Sequence, residues 1–263
     1  MKKVLSIAGS DSSGGAGMQA DIKTITAHKM YAMSVITALT AQNTNGVFGV
    51  LDVGGEFITA QIDACFSDIF PDALKIGMVS NEEIIRSISA GLKKWNTKNI
   101  VLDPVMVATS GGVLMKDSAI NVLIDELFSI ANIITPNIPE AEILSNMVIK
   151  TTEDMQKSAK KISKFTNAAV LVKGGHLEGS AIDVLYSGGE FSFFNSDKIK
   201  TKNTHGTGCT LSSAIACGLA ANLDIKTSVL KAKDFITKAL ANDIKVGQGN
   251  GAIDHYFRIP EIF

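Results

Sequence analysis

Short apolar runs alternate with longer segments of helical periodicity along most of the sequence. The short runs, rich in Val, Ile and Leu, predict buried strands at 4–9, 32–41, 73–79, 99–105, 131–135 and 168–175. The longer segments place apolar residues at helical spacing and predict helices at 16–29, 56–69, 81–94, 117–130, 138–145, 152–165, 208–221 and 226–246. A further stretch at 182–194 predicts a hairpin with its turn at Ser187-Gly188-Gly189.

This alternation of strands and helices predicts one three-layer α/β/α domain over residues 1–263, because a parallel sheet needs helices on both faces. No linker, repeat or low-complexity segment divides the sequence. The hairpin predicts antiparallel strands at one edge of a mostly parallel sheet. Such open sheets bind ligands at the carboxyl ends of their strands. Polar and glycine-rich residues follow the predicted strands at these ends: 9–15, Gln42-Asn43, Gly77-Met78, Asp103-Pro104, Pro136-Asn137 and 173–176.

The composition narrows the possible functions. Of the 263 residues, 46% are hydrophobic and 19% are charged, which is typical of a globular protein. A formal net charge of −1 argues against sequence-independent binding of nucleic acid, which needs a basic face. Three cysteines without metal-ligand spacing indicate free thiols in a reducing compartment. The N-terminal apolar run is too short for a signal peptide, and 203–223 is too rich in small and polar residues to span a membrane, so we expect a cytoplasmic protein.

The glycine-rich segment after the first strand resembles two phosphate-binding motifs but fits neither. Residues 15–20 match a dinucleotide fingerprint, but the predicted strand ends too early and no acidic residue closes the second strand. Gly9 and Gly14 have P-loop spacing, but neither Lys-Ser nor Lys-Thr follows. The segment is therefore a tight turn or a loop whose backbone approaches a ligand closely. Asp21, one turn into the next helix, faces either that ligand or the solvent.

A second glycine-rich segment opens a long helix that is rich in small residues. The backbone N–H groups of Gly206, Thr207 and Gly208 would bind an anion at the helix N-terminus. Cys209 lies in the first turn, where the pKa of a thiol is expected to fall. It is therefore either a proton acceptor or a small buried residue, and Cys217, two turns on, fits the second description.

Five polar residues at or shortly after predicted strand ends carry alternative interpretations. Lys173 either contacts an anion such as phosphate or extends to the surface. Asn137 and Glu140 share a helix face, and their spacing alone favours a capping box over a position near Mg²⁺. Asp103 is a candidate for contact with a metal or, through water, with phosphate. Gln42 either ends its strand or reads the edge of an aminopyrimidine ring, since it offers one donor and one acceptor side.

Together these groups are the parts of a phosphoryl-transfer site, where catalysis is mostly positioning and charge stabilisation. A nicotinamide oxidoreductase is disfavoured because the ribose-binding carboxylate is missing. A non-catalytic ligand sensor would need no proton acceptor at the anion site. His28 and His255 are predicted to lie at the surface.

Seven segments resemble the bacterial hydroxymethylpyrimidine and phosphomethylpyrimidine kinases of thiamine biosynthesis, in the ribokinase-like superfamily. They occur in the family's order over nearly the whole length: SIAGSDSSGGAGMQAD (6–21), VITALTAQNTNGV (35–47), KIGMV (75–79), VLDPVMV (101–107), TPNIPEAE (135–142), VKGGH (172–176) and THGTGCTLSSAIA (204–216). The resemblance implies a ribokinase-like fold, Mg²⁺, a homodimer and two reactions. ATP would phosphorylate 4-amino-5-hydroxymethyl-2-methylpyrimidine to its monophosphate and then to its diphosphate.

The resemblance also implies a role for each matching residue. Cys209 would activate the hydroxyl group, and Lys173 would contact a nucleotide phosphate. The anion hole would consist of Gly206, Thr207 and Gly208. The pyrimidine pocket would consist of Gly9, Asp21, Gln42, Met78 and Val105. The residues near Mg²⁺ would be Asp103, Asn137 and Glu140, which adds a metal role to the capping role of the last two.

Two features bear on the choice of substrate and nucleotide contacts. Many relatives carry Lys at the position of Thr109, so this sequence places more of the cationic contact on Lys173. Relatives that phosphorylate pyridoxal tend to differ at Gln42-Asn43-Thr44, so the triplet favours the thiamine pyrimidine. Pyridoxal kinase activity is the alternative within the same fold.

Overall fold

The computed structural model describes residues 1–106, 115, 117–175 and 181–260. Within these residues the strands are β1 (Lys3–Asp11), β2 (Tyr31–Asn43), β3 (Gly46–Asp52), β4 (Ala73–Ile76), β5 (Ile100–Leu102), β6 (Ile133–Ile134), β7 (Ala169–Val172), β8 (Ala181–Ser187) and β9 (Glu190–Ser196). The helices are α1 (Gly17–Ala27), α2 (Gly55–Asp68), α3 (Glu82–Lys94), α4 (Asp117–Glu126), α5 (Ile138–Ser145), α6 (Thr152–Ile162), α7 (Thr207–Ala220) and α8 (Ile225–Ala241). The alternation predicted from the sequence is confirmed.

The strands form one sheet in the order β3-β2-β1-β4-β5-β6-β7-β8-β9. Neighbours from β2 to β7 pair in parallel, whereas β3, β8 and β9 pair antiparallel. The prediction of antiparallel strands at one edge is therefore incomplete, because β3 adds a second antiparallel edge. Most of the β3 side chains are exposed, so this strand lacks the buried apolar run by which the other strands were predicted.

Two apolar clusters cover the two faces of the sheet and confirm the three-layer architecture. One cluster contains side chains from α2 to α6, and the other contains side chains from α1, α7 and α8. In the sheet β1 lies between β2 and β4. The connection from β1 to β2 passes through α1 on one face, and the connection to β4 passes through α2 on the opposite face. This reversal opens a crevice at the carboxyl end of β1, where ligands bind in sheets of this type.

In the described part of the chain, no helix has both the length and the apolar character needed to cross a membrane.

His255 lies in the interior, so the prediction of a surface position for it is wrong. Its side chain is 2% exposed, and its Nε2 lies 2.9 Å from Oγ1 of Thr210 on α7. Burial lowers the pKa of His255 from 6.5 to about 4, because the protonated ring loses its hydration and the ammonium of Lys23 repels it.

This buried histidine is expected to make stability depend on pH. Between pH 6.5 and about 4, the unfolded chain protonates His255 and the folded chain does not, so the free energy of unfolding falls as the pH falls. The loss through this group is about 2 kcal/mol between pH 7 and pH 5. Denaturant titrations of the wild type and of His255→Phe at both pH values measure it. Equal pH dependence in the two proteins would contradict the assignment.

Candidate active site

A cavity of about 730 Å³ lies at the carboxyl ends of the strands and extends along the N-terminus of α7. Every site residue inferred from the sequence except Asp21 lines it: Gly9, Gln42, Met78, Asp103, Val105, Asn137, Glu140, Lys173, Gly206, Thr207, Gly208 and Cys209. Residues from distant parts of the sequence thus share one cavity. Thr109 and His176 lie outside the described residues.

The N-terminus of α7 begins with a glycine in the left-handed conformation. Gly206 has φ 85°, and a Cβ atom there would collide with the carbonyl oxygen of Gly15. Thr207 donates both its backbone N–H and its hydroxyl to the carbonyl of Thr204, at 3.2 and 2.7 Å. The N–H groups of Gly208 and Cys209 follow in the first turn and have no carbonyl to bond within the helix. The turn therefore brings two N–H donors without a partner inside the helix to the cavity wall, whereas the N–H of Thr207 is already bonded.

The thiol of Cys209 lies at this cavity, where the backbone N–H of Gly17 donates to it. Burial raises the pKa of Cys209, and the nearby ammonium of Lys75 opposes that rise only in part. The expected fall in pKa at the helix N-terminus is therefore wrong, since loss of hydration outweighs the helix. At neutral pH the group is a thiol. Cys217 is 1% exposed, in agreement with its interpretation as a small buried residue.

Asp21 does not line the cavity, contrary to the expectation from the resemblance. Both Asp21 and Lys75 are fully buried, and the Lys75 Nζ atom lies 3.0 and 2.8 Å from the two carboxylate oxygens. Ser6 and Ser213 donate their hydroxyl groups to the same carboxylate at 2.6 and 2.7 Å. Burial opposes the charge on Lys75, but the carboxylate of Asp21 and the neighbouring Cys209 raise the pKa of the ammonium.

Lys75 was not singled out from the sequence, although a lysine inside the apolar run ALKIGMV is a detectable signal. It is a fully buried cation, and its charge acts on both Cys209 and Asp103. Its permanent charge favours negative charge at the adjoining cavity wall.

Lys173 and Asp103 form an ion pair at the cavity wall, with Nζ 2.7 Å from Oδ1. Thr135 donates its hydroxyl to the same oxygen at 3.1 Å. Burial opposes both charges, but each partner stabilises the other, so the pKa of Lys173 rises and the pKa of Asp103 falls. In this structure Lys173 contacts a protein carboxylate, and its predicted contact with a phosphate stays a prediction.

Asn137 and Glu140 form the capping box that their spacing predicts. The Asn137 side chain accepts from the Glu140 N–H at 2.9 Å, and the Glu140 carboxylate accepts from the Asn137 N–H at 2.8 Å. Burial raises the pKa of Glu140 to about 7, while Lys173 opposes the rise and the charge of Asp103 adds to it. A cation beside the carboxylates of Asp103 and Glu140 would reduce the repulsion between them.

The donor set fits a magnesium ion that arrives with phosphate. Among the described residues, no group of three or more His, Cys, Asp or Glu side chains could hold a metal on its own. Mg²⁺ does not need such a group, because it typically binds one or two carboxylates together with water and substrate phosphates. Asp103 and Glu140, both on the cavity wall, provide that number of carboxylates.

Two cavity residues were missed in the sequence, Asp11 and His205. The Nε2 atom of His205 lies 2.9 Å from Oδ2 of Asp11 and 3.3 Å from the side-chain nitrogen of Gln42. Asp11 lies within the first glycine-rich segment and His205 within the second, so a titratable side chain inside each segment was the sequence signal for a cavity residue. The pair joins the two segments at the place where Gln42 ends β2.

Comparison with known proteins identifies the family. A family model described as phosphomethylpyrimidine kinase matches residues 11–254. The hydroxymethylpyrimidine/phosphomethylpyrimidine kinase of Rhizobium meliloti strain 1021 is 48% identical over 258 residues, which is 97% of each chain. The chain belongs to the phosphomethylpyrimidine kinase family. It is a kinase of the thiamine biosynthesis type, as the sequence motifs predict.

Solved structures support the same fold. The phosphomethylpyrimidine kinase from Clostridium difficile 630 is 48% identical, with a TM-score of 0.81, over 91% of this chain and 100% of that one. The Bacillus subtilis pyridoxal kinase, solved as an ADP complex, is 36% identical with a TM-score of 0.90, over 99% of this chain and 100% of that one. The ribokinase-like fold expected from the resemblance is confirmed. The fold is common to both kinds of kinase, so substrate choice depends on the cavity.

Proposed function

We propose that this kinase phosphorylates 4-amino-5-hydroxymethyl-2-methylpyrimidine with ATP, first to the monophosphate and then to the diphosphate. One observation carries the proposal: Gln42, the Cys209 thiol, the N-terminus of α7 and the Lys173–Asp103 pair line a single cavity. This set can hold a polar ring at one place and a transferring phosphoryl group at another.

The ring would lie against Gly9, Met78 and Val105, with its polar edge on Gln42. A Cβ atom at Gly9 would lie 3.0 Å from the Met78 sulfur, so glycine keeps this wall close to the methionine. Pockets of this kind combine apolar walls with few polar groups that fix the ligand's orientation. Gln42 provides that group here.

In the first reaction the hydroxymethyl oxygen attacks the γ-phosphorus of ATP, the bond to ADP breaks, and the hydroxyl proton passes to the thiolate of Cys209. Because burial raises the pKa of Cys209, only the fraction that has lost its proton is active. Lys75 stabilises that thiolate. The unpaired N–H groups of Gly208 and Cys209 stabilise the negative charge on the group in transit.

The phosphates of ATP would be held by Lys173 and by a magnesium ion at Asp103 and Glu140, with Asn137 orienting Glu140 through the capping box. When bound, the ion neutralises charge on the phosphate oxygens. The Lys173–Asp103 pair keeps the lysine at the cavity wall before the nucleotide arrives.

The direct test is incubation of the purified protein with the pyrimidine, ATP and Mg²⁺. Monophosphate should form first and diphosphate later, with matching release of ADP. Release of ADP no faster than with ATP alone would reject the proposal. The likeness to the Bacillus subtilis pyridoxal kinase makes pyridoxal the second candidate substrate, and the ratio of kcat/KM for the two alcohols decides between them.

Lys173→Ala is expected to raise the KM for ATP by about 10-fold or more, because a buried charged contact to phosphate is lost. The KM for the pyrimidine should change little. Initial rates at varied ATP and varied pyrimidine measure both constants, with the exposed Lys238→Ala as the matched control. A change confined to the pyrimidine would show that Lys173 serves the other substrate.

We also propose that residues 1–263 act as one domain, in the cytoplasm, as a homodimer. The continuous sheet supports one domain, and the free thiols of Cys65, Cys209 and Cys217 support a reducing compartment. Exposed apolar side chains at the β2–β3 edge support self-association, namely Leu39, Phe48, Val50 and Leu51.

A further inference from the structure

Asp11, at the end of β1, is a buried carboxylate surrounded by donors. Its side chain accepts the backbone N–H groups of Ser13, Gly15 and Ala16 at 2.8, 3.0 and 2.8 Å, and the Ser13 hydroxyl at 2.8 Å. Burial opposes its ionisation, but the hydrogen bonds from His205 and Ser13 outweigh burial and lower the pKa of Asp11. Asp11 therefore carries a full negative charge and can only accept hydrogen bonds.

The ionised carboxylate determines which nitrogen of His205 carries a proton. Nε2 of His205 lies 2.9 Å from Oδ2 of Asp11, so this nitrogen must be the donor. The histidine is also held from its other side, because its backbone N–H donates to the carbonyl of Gly251 at 3.0 Å and its ring packs on Gly15. The position of the Nε2–H group is thus determined by three separate contacts.

That proton decides how the Gln42 carboxamide is oriented. The Gln42 side-chain nitrogen lies 3.3 Å from the same Nε2. The one proton on Nε2 already goes to Asp11, so a carboxamide oxygen in that place would share it as a second acceptor, whereas a carboxamide N–H would face it with nothing to accept. A carboxamide N–H cannot bond another N–H, whereas the carboxamide oxygen can accept one, and a half-turn of the end group exchanges the two. The favoured arrangement places Oε1 of Gln42 on His205 and turns the NH₂ group away. The backbone N–H of Gln42 is held by the Ser12 hydroxyl at 2.9 Å, so the strand end provides a firm base.

We propose that Asp11 and His205 are positioning residues that select a 4-aminopyrimidine over its 4-oxo analogue by fixing the Gln42 carboxamide. The inference rests on the proposed function. An aminopyrimidine offers an N–H donor beside a ring-nitrogen acceptor, which match the second lone pair of Oε1 and the NH₂ of Gln42. The 4-oxo ring offers a carbonyl beside an N–H, the reverse order. To bind the 4-oxo ring, the Gln42 carboxamide would have to turn by half a turn, and its NH₂ group would then face the Nε2–H of His205.

The test compares kcat/KM for the 4-amino alcohol and for its 4-oxo analogue in the wild type, His205→Leu and His205→Gln. His205→Leu removes the donor and should reduce the preference for the amino ring by about 10-fold or more, the value of one hydrogen bond to a charge-paired donor. His205→Gln keeps an N–H at similar reach and should retain most of the preference. The KM for ATP should stay unchanged in both.

A second variant and a binding measurement make every result decisive. In Asp11→Asn the histidine is no longer obliged to donate, so the preference should fall there too, even if His205→Leu does not fold. Calorimetric binding of both rings separates recognition from turnover. If the wild type binds the amino ring selectively but does not phosphorylate it, the proposed function is wrong and the inference about Asp11 and His205 still holds. If the wild type turns over the amino ring but the variants keep the same preference, because kcat/KM is unchanged or falls equally for both rings, the inference alone is wrong. If the wild type binds neither ring, both the inference and the proposed function are wrong.

Discussion

Cys209→Ala is expected to lower kcat for the first phosphorylation about 10²-fold or more, the usual effect of losing a general base. Binding of the pyrimidine should stay nearly intact, because the proposed ring site is formed by Gly9, Met78 and Gln42 instead. In the wild type, kcat/KM should rise with pH into the alkaline range, since burial raises the pKa of the thiol. This rise should be absent from the variant. Single-turnover rates and pH profiles measure both effects.

The second phosphorylation provides an internal control for this role. Its acceptor is a phosphate oxygen that is mostly ionised at neutral pH, since the second pKa of a phosphate monoester is about 6. No proton needs to be removed, so Cys209→Ala should slow the second step much less than the first. Cys209→Asp offers a base with a lower pKa and should move the alkaline rise of the first step to lower pH. If Cys209→Ala slowed both steps equally, the thiol would act in packing.

Gly206→Ala is expected to reduce kcat by about 10²- to 10³-fold, the range seen when an oxyanion donor is lost. Two causes combine at this residue. Its φ of 85° is unfavourable for alanine, and the new Cβ would strike the carbonyl oxygen of Gly15. The first turn of α7 must shift to relieve the collision, which would move the N–H groups of Gly208 and Cys209 away from the proposed position of the phosphoryl group.

Gly188→Ala is the matched control for backbone strain. Gly188 also has a positive φ, 58°, but it lies in the β8–β9 turn, where no described atom comes within 4 Å of the new Cβ. It should lose some stability, as alanine does at such angles, with kcat unchanged. Thermal melts and initial rates distinguish the two variants. A Gly206→Ala protein with the kcat of Gly188→Ala would show that the turn does not bind the transferring group.

The sequence predicted most of the fold, because buried strands and amphipathic helices have distinct periodicities. It did not predict β3, whose exposed residues lack a buried run, and it placed the ends of β1 and β2 too early. β1 extends to Asp11 because it pairs with β2 as far as Thr40, and β2 extends to Asn43 because its last residues pair with β3.

The site was less predictable, since its chemistry depends on burial and on distant pairing. Asp21, one turn into α1, was predicted to face the cavity. Its ion-pair partner Lys75 lies 54 positions away in the sequence, so no local pattern predicts the pair. The expected low pKa of Cys209 followed from the helix N-terminus alone. The structure reverses the direction, because the surroundings of the thiol exclude water.

Hydrogen bonds in and beside the cavity join very distant residues. Asp11 and His205 are 194 positions apart, Asp21 and Ser213 are 192 apart, and Thr44 accepts the backbone N–H of Gly249 at a separation of 205. Contacts of such separation form late, because closing long loops costs more entropy than forming local structure. During translation the ribosome releases β1 long before α7 exists. A nascent chain therefore cannot make these contacts until α7 and the residues after it have been synthesised.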